Sequence, residues 1–310
     1  MQRIIISEFM DDFAVTSLAS RFEVDYRPKL VDDAAALAAA LPAADAWIVR
    51  NRTPVRGALL EAAARLRVVG RLGVGLDNID VDACARRGIR VIPATGANAL
   101  SVAEYVVAAA MVLLRGAFLE SARTAAGEWP RPALSVGREA AGRVLGVVGF
   151  GSIGRITAAK AAAIGMQVVG YDPQVRDDDP AWEAAGARPR SLDALLAESD
   201  VVSLHLPLTP ATRGLLDARR LARMKRGAVL VNTARGGIVE EAALASMLRD
   251  GRLGGAALDV FEDEPLPAGS PLSGVPRLIL TPHIAGLTLE SNARVSALVA
   301  DRVAEALATA

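Results

Sequence analysis

VLGVVGFGSIG, Val144–Gly154, is the stretch that decides the fold. Val144–Val148 is an apolar run without polar alternation, the pattern of a strand buried on both faces of a parallel sheet. It leads straight into Gly149–Gly154, which opens a segment of helical period. A G-x-G-x-x-G hexapeptide alone says little, but between such a strand and such a helix it is a dinucleotide-binding fingerprint. Gly149 permits the tight turn, Gly151 lets the backbone approach a pyrophosphate, and Gly154 lets the helix close on the strand. The helix N-terminus then offers free N–H groups to the phosphates. The next strand, Gln167–Tyr171, ends in Asp172, where a carboxylate accepts from ribose hydroxyls and repels a 2′-phosphate. NAD is therefore expected rather than NADP. Arg176 lies close by, but in a polar loop with Asp177–Asp179 and Pro180 it is expected to be a solvated surface cation.

Around this stretch, short β-rich runs alternate with Ala/Leu-rich segments of helical period, as in parallel βαβ units. In the first third, Arg3–Ser7, Phe22–Tyr26, Ala46–Arg50, Val68–Arg71 and Ile89–Ile92 read as strands. A long helical stretch from Asn98 to Gly127, broken near Arg115 and Gly116, carries Val102, Val106, Met111, Val112 and Leu113. That apolar face exceeds what one small domain needs to cover, so it is expected to connect domains and to offer a homodimer surface. A second α/β series runs from Val144 to Leu280, and a final helix, Leu289–Leu307, can pack back on the first domain. The expected fold class is α/β, with two Rossmann-like or flavodoxin-like parallel-sheet domains and a cleft between them. One is discontinuous, 1–97 plus 287–310, and binds substrate; the other, 98–286, binds NAD.

Composition narrows the partner. With 35 basic and 35 acidic residues the chain has no net charge, so it lacks the basic footprint of nucleic-acid or anionic-membrane binding. A small molecule is the expected partner, and no metal site is expected. The single cysteine, Cys84, excludes an internal disulfide and fits a reducing compartment, with the cytoplasm as the default; it reads as a small buried apolar residue. The apolar run Ile4–Ile6 is too short for a signal peptide or a membrane span.

Four further segments fall into order with GFGSIG: RLGVGLDNID (Arg71–Asp80), SLHLPLT (Ser203–Thr209), VNTARGGIVEEAAL (Val231–Leu244), and ALDVFEDEP (Ala257–Pro265) followed by TPHIAG (Thr281–Gly286). Together they closely resemble the D-isomer-specific 2-hydroxyacid dehydrogenase family over nearly the whole chain. The resemblance implies NAD-dependent hydride transfer to a 2-oxo acid, with Arg235, Glu264 and His283 as the catalytic residues. An alkoxide formed by hydride transfer needs an acid titrating near neutrality, which suits histidine. Of the two histidines the family places His283 at the acid/base and His205 along the cofactor. Glu264 matches the carboxylate that holds the imidazole, chosen over Glu262 and Asp263 by its spacing from Asp259 and by Pro265. Arg235 matches the arginine that binds the substrate carboxylate and polarises the carbonyl.

The resemblance also implies that Gly149, Gly151, Ser152, Ile153, Gly154, Tyr171, Asp172, His205, Pro207, Thr212, Thr233, Ala234, Asp259 and Gly286 bind the cofactor, Asp259 by accepting from the carboxamide. Arg50, Gly73, Val74 and Gly75, with Arg235 and His283, are implied to bind substrate. The linker Gly127–Gly146 departs from the family pattern, with Leu134 in place of an aromatic residue, which touches packing and not catalysis. Arg50 favours an acid with a second anionic group, 3-phosphoglycerate or 3-sulfolactate, and SEFMDDFAV resembles bacterial relatives acting on (S)-sulfolactate. That compound has the spatial arrangement of a D-hydroxy acid, because sulfur raises the priority of its carbon. The alternatives are a glyoxylate/hydroxypyruvate reductase and, in another class, an NAD-sensing corepressor-like binding protein. A formate enzyme of this fold would pair its histidine with glutamine, where this chain has Glu264.

Overall fold

The computed structural model describes residues 1–309. They divide into two compact units, Met1–Asn98 with 287–309, and Ala99–Gly286. The first unit is built on β1 (Arg3–Ile6), β2 (Glu23–Tyr26), β3 (Ala46–Val49), β4 (Val68–Arg71) and β5 (Arg90–Pro93). All are parallel, in the order β2-β1-β3-β4-β5. Every expected strand is present, with ends displaced by at most one residue. The terminal helix Leu289–Ala308 buries Val295, Val299, Val303 and Leu307, a stripe at every fourth position. Burying each such side chain contributes about 1.5–3 kcal/mol, so the helix is firmly docked. Its close seat on β4 depends on Gly70, where a Cβ would come within 2.8 Å of Val299 and 2.9 Å of Val303.

The second unit carries β6 (Val144–Val148), β7 (Gln167–Tyr171), β8 (Ala187–Pro189), β9 (Val201–Leu204), β10 (Val229–Asn232), β11 (Gly255–Leu258) and β12 (Leu278–Leu280). These are parallel throughout, in the order β12-β11-β10-β9-β6-β7-β8. The chain winds outward from β6 to β8 and then returns to the other side of β6 as β9. At this reversal the connections leave in opposite directions and open a crevice at the carboxyl ends of the strands, where open α/β sheets bind ligands.

The helix after Asn98 runs from Ala99 to Arg115 and stops where Gly116 adopts φ 72°. Its apolar face is not in surplus. Val102, Val106, Ala109, Ala110, Leu113 and Leu114 are buried against the helix Ser152–Ala163 and strands β10 and β11 of their own unit. Met111 points away from that face and is half exposed. The most exposed large apolar residues of this unit lie further on, at Phe118, Trp129 and Val136. No single helix among the described residues is long and apolar enough to cross a membrane.

Candidate active site

The second unit places its expected functional residues at or just beyond the carboxyl ends of parallel strands, because connections leave there and backbone groups are free to face a ligand. After β6, Gly149 has φ 99° and presses on the end of β9, where a Cβ would lie 2.7 Å from the carbonyl carbon of His205. A Cβ on Gly154 would meet the Gly149 carbonyl oxygen at 2.1 Å, so only glycine lets the helix start this close to the strand. Gly151 faces open space, with nothing within 4 Å of its Cβ position. Ser152 and Ile153 form the first turn of the helix behind it. The result is a backbone cradle with room for a pyrophosphate.

At the end of β7, next to Tyr171, the Asp172 carboxylate is tied to this cradle. Its Oδ2 accepts from Phe150 N–H at 2.7 Å and its Oδ1 from Gln174 N–H at 2.9 Å. Each oxygen keeps acceptor capacity for a ribose hydroxyl. Arg176 is engaged elsewhere, paired with the exposed Asp178 at 2.9 Å. Asp172→Ala should narrow the preference for NADH over NADPH by about tenfold to a hundredfold, the worth of a hydrogen bond to a charged group. Fluorescence titration of both nucleotides reads this, and a native chain that prefers NADPH contradicts it.

His205 and Thr233 follow the ends of β9 and β10, whose last residues, Leu204 and Asn232, are register partners. His205 Nε2 lies 2.8 Å from Ser203 Oγ, while His205 Nδ1 and Thr233 Oγ1 are buried without a partner in the chain. Unsatisfied buried polar atoms cost about 1–3 kcal/mol each. Two at adjacent strand ends beside the glycine cradle fit a bound dinucleotide. Thr212 closes the loop beyond His205, donating to the Pro207 carbonyl at 2.6 Å and accepting from Thr209 N–H at 2.7 Å. Ala234 is buried, and its N–H donates to Asn232 Oδ1 at 3.0 Å. Gly286 ends the unit directly after Ala285, whose N–H donates to Asp259.

Burial lowers His205 from 6.5 to about 3, so its ring is neutral at any ordinary pH. The unfolded chain takes up this proton below about pH 6.5 and the native one does not. Stability is therefore lost as pH falls, by up to about 1.4 kcal/mol per unit over that window. Melting temperatures measured from pH 7 to pH 4 should fall less steeply for His205→Gln; an unchanged slope contradicts a neutral native ring.

Arg235, Glu264 and His283 come from the connections after β10, β11 and β12, and the structure brings them together. His283 Nδ1 lies 2.7 Å from Glu264 Oε2. Burial raises the Glu264 carboxyl, but the hydrogen bond and charge of His283, the Phe261 N–H and the Arg235 charge outweigh it and leave it below the usual carboxylate range. An ionised carboxylate only accepts, so Nδ1 carries the proton and Nε2 is left for a substrate. The Arg235 loop is shaped by Asn232, whose Nδ2 donates to the Arg235 carbonyl at 3.0 Å.

His283 is a non-glycine residue at φ 56°, a conformation costing about 1–3 kcal/mol. Asp259 holds it there. Buried at the end of β11, it accepts from Thr281 Oγ at 2.6 Å, Ile284 N–H at 2.8 Å and Ala285 N–H at 2.8 Å, bracketing His283. Because Thr281 gives its only hydroxyl proton to Asp259, the Tyr105 hydroxyl 2.7 Å away must donate to Thr281. From the family resemblance Asp259 is expected only as a cofactor ligand. Bracing the histidine loop is the task visible here, and it leaves one acceptor position, on Oδ2.

In the first unit, the ends of β1, β3 and β4 bring Glu8, Arg50 and Gly73–Gly75 to one sheet edge. The Glu8 carboxylate accepts from the N–H groups of Arg50 at 2.8 Å and Thr53 at 3.0 Å. The Arg50 guanidinium donates to Asn292 Oδ1 at 2.9 Å and lies over the Phe9 ring. Arg52 turns away to pair with Asp32, and Arg71 is buried beneath Gly73, where a Cβ would meet its guanidinium. Val74 is partly exposed.

A dinucleotide cradle with a histidine, carboxylate and arginine at neighbouring strand ends suits dehydrogenase chemistry, and comparison with known proteins agrees. Residues 107–285 match the family described as "D-isomer specific 2-hydroxyacid dehydrogenase, NAD binding domain". The chain belongs to the D-isomer-specific 2-hydroxyacid dehydrogenase family and is an NAD-dependent oxidoreductase acting on the CH–OH group of a 2-hydroxy acid. It is 55% identical over 307 residues to (S)-sulfolactate dehydrogenase of Chromohalobacter salexigens, covering 99% of each chain. It is 42% identical over 308 residues to D-3-phosphoglycerate dehydrogenase of Mycobacterium leprae, covering 98% of this chain but only 57% of that protein's length. The structure of D-lactate dehydrogenase from Aquifex aeolicus complexed with NAD and lactic acid superposes with a TM-score of 0.85 at 30% identity, covering 99% of this chain and 96% of that one.

Proposed function

We propose that this enzyme interconverts a D-configured 2-hydroxy acid bearing a second anionic group, 3-sulfolactate ahead of 3-phosphoglycerate, with its 2-oxo acid. The observation that carries the chemistry is the His283–Glu264 pair at 2.7 Å with the Arg235 charge beside it. NADH supplies the hydride. Arg235 holds the carboxylate and draws electron density from the carbonyl oxygen, a task suited to its forked donors. His283, with Nδ1 fixed by Glu264, delivers the Nε2 proton to that oxygen as negative charge grows on it. In the reverse direction the same nitrogen takes the hydroxyl proton.

For the substrate, Arg50 supports a second anion, aided by the 55% identity to a sulfolactate enzyme. Gly73, Val74 and Gly75 are assigned to the substrate carboxylate, which makes the first unit the substrate-binding domain. NADH oxidation against a panel of sulfo-, phospho- and unsubstituted 2-oxo acids tests this reading. A charge-assisted contact predicts kcat/KM for 3-sulfopyruvate about tenfold to a hundredfold above pyruvate. Preference for pyruvate, or for glyoxylate or hydroxypyruvate, rejects it.

We place the enzyme in the cytoplasm, where its one buried thiol, Cys84, stays reduced. The balanced charge argues against nucleic-acid and membrane partners. A homodimer is supported by the uncovered Phe118, Trp129 and Val136; a sedimentation mass of one chain at micromolar concentration rejects it.

A further inference from the structure

We infer that Glu241, outside the reacting set, positions the Glu264–His283 pair by fixing the peptide that joins Phe261 to Glu262. Glu241 opens the helix Glu241–Arg249, and its Oε1 accepts from Glu262 N–H at 2.8 Å. One residue earlier, Phe261 N–H donates to Glu264 Oε1 at 3.1 Å. On its other side the same peptide meets the Arg235 loop: a Cβ on Gly236 would stand 1.7 Å from the Phe261 carbonyl oxygen and 2.5 Å from Glu262 nitrogen. A single peptide unit thus touches the segment carrying Arg235, neighbours the N–H that orients Glu264, and is held by Glu241.

The surroundings argue that this contact is specific. Glu241 is pushed up by burial and by the charges of Glu262 and Asp263, and the Glu262 N–H is the contact that opposes this. A carboxylate crowded by two like charges turns to solvent unless a hydrogen bond holds it. Glu264 itself is drawn to His283 and to the charge of Arg235. Loss of the Glu241 contact leaves the Glu262 N–H without its acceptor and the 261–264 segment free to shift, and Glu264 moves with it.

The inference rests on Glu264–His283 being the proton-donating pair, and the test keeps the two apart. Glu241→Ala, Glu241→Asp and Glu241→Gln are compared with the native full-length chain and with His283→Asn. Alanine removes the acceptor, aspartate keeps the charge but not the reach, and glutamine keeps an acceptor at the original reach. A shift of an ångström or less in the pair should lower kcat about tenfold for the alanine and aspartate variants, with the oxo-acid KM and NADH affinity within about twofold. In the protein without nucleotide, the hydrogen-bonded Nδ1 proton resonance of His283 should move upfield as Glu264 recedes. Glutamine should restore both. Should Glu241→Ala not fold, the aspartate variant decides. Native kcat and a native His283 Nδ1 proton resonance in Glu241→Asp, or a glutamine variant as impaired as alanine, overturns the inference. A fully active His283→Asn instead overturns the assignment of the pair.

Discussion

Arg235→Ala should lower kcat/KM for oxo-acid reduction by about 10²–10³, the usual effect of deleting one preorganised donor at a developing oxyanion. The side chain follows β10; the buried Asn232 side chain sets its loop, donating to the Arg235 carbonyl and accepting from Ala234 N–H, and Arg235 Nη1 donates to the Ala234 carbonyl at 2.5 Å, so the guanidinium is held before substrate arrives. Preorganisation makes such a donor most effective in the transition state, where the carbonyl oxygen becomes anionic. The loss should appear in kcat as well as KM, because the same guanidinium is assigned to the carboxylate and the reacting carbonyl. Arg235→Lys restores charge but not the planar fork and should recover only part of the rate. NADH affinity, measured by fluorescence, should stay close to native. Unchanged turnover of the preferred substrate in Arg235→Ala rejects the role.

His283→Asn should cost about 10²–10⁴ in the rate of reduction, the range spanned by positioned acid catalysts. Asparagine can still donate to Glu264 and tolerates positive φ, so the loop held by Asp259 should persist. The pH profile carries the sharper reading. With His283 assigned as the proton donor for reduction, the variant should lose the limb on which the native rate falls with rising pH. Glu264, held below the usual carboxylate range, keeps its charge through mildly acidic pH, so the pair persists there. His205 cannot supply the limb, since burial keeps its ring neutral down to about pH 3. A variant with near-native rates and the same limb contradicts the assignment.

Much of this was legible in the sequence, for a physical reason. Strands of a parallel sheet are buried on both faces, so β3 and β6 read as unbroken apolar runs, and the residues that follow each run are those free to face a ligand. Gly149–Gly154 and Asp172 could be read that way directly. The triad needed the family resemblance, because nothing local to Glu264 separates it from Glu262 and Asp263. The supports were hidden for a different reason. Tyr105, Thr281 and Asp259 form one hydrogen-bonded chain although the first two lie 176 residues apart. Gly236 was visible as part of a glycine pair after Arg235, but not its approach to Phe261. The helix after Asn98 misled for lack of a visible partner: Val102, Val106, Met111, Val112 and Leu113 suggested a surplus apolar face, whereas most of that face is covered by the helix Ser152–Ala163 and the sheet.

The most direct measurement is a crystal structure of the complex with NADH and oxamate, an unreactive stand-in for a 2-oxo acid. The oxamate carboxylate should lie on the Arg235 guanidinium and its carbonyl oxygen within hydrogen-bond distance of both Arg235 and His283 Nε2, with Glu264 still on Nδ1. Oxamate bound away from these two side chains, or a His283 ring turned from it, would contradict the account.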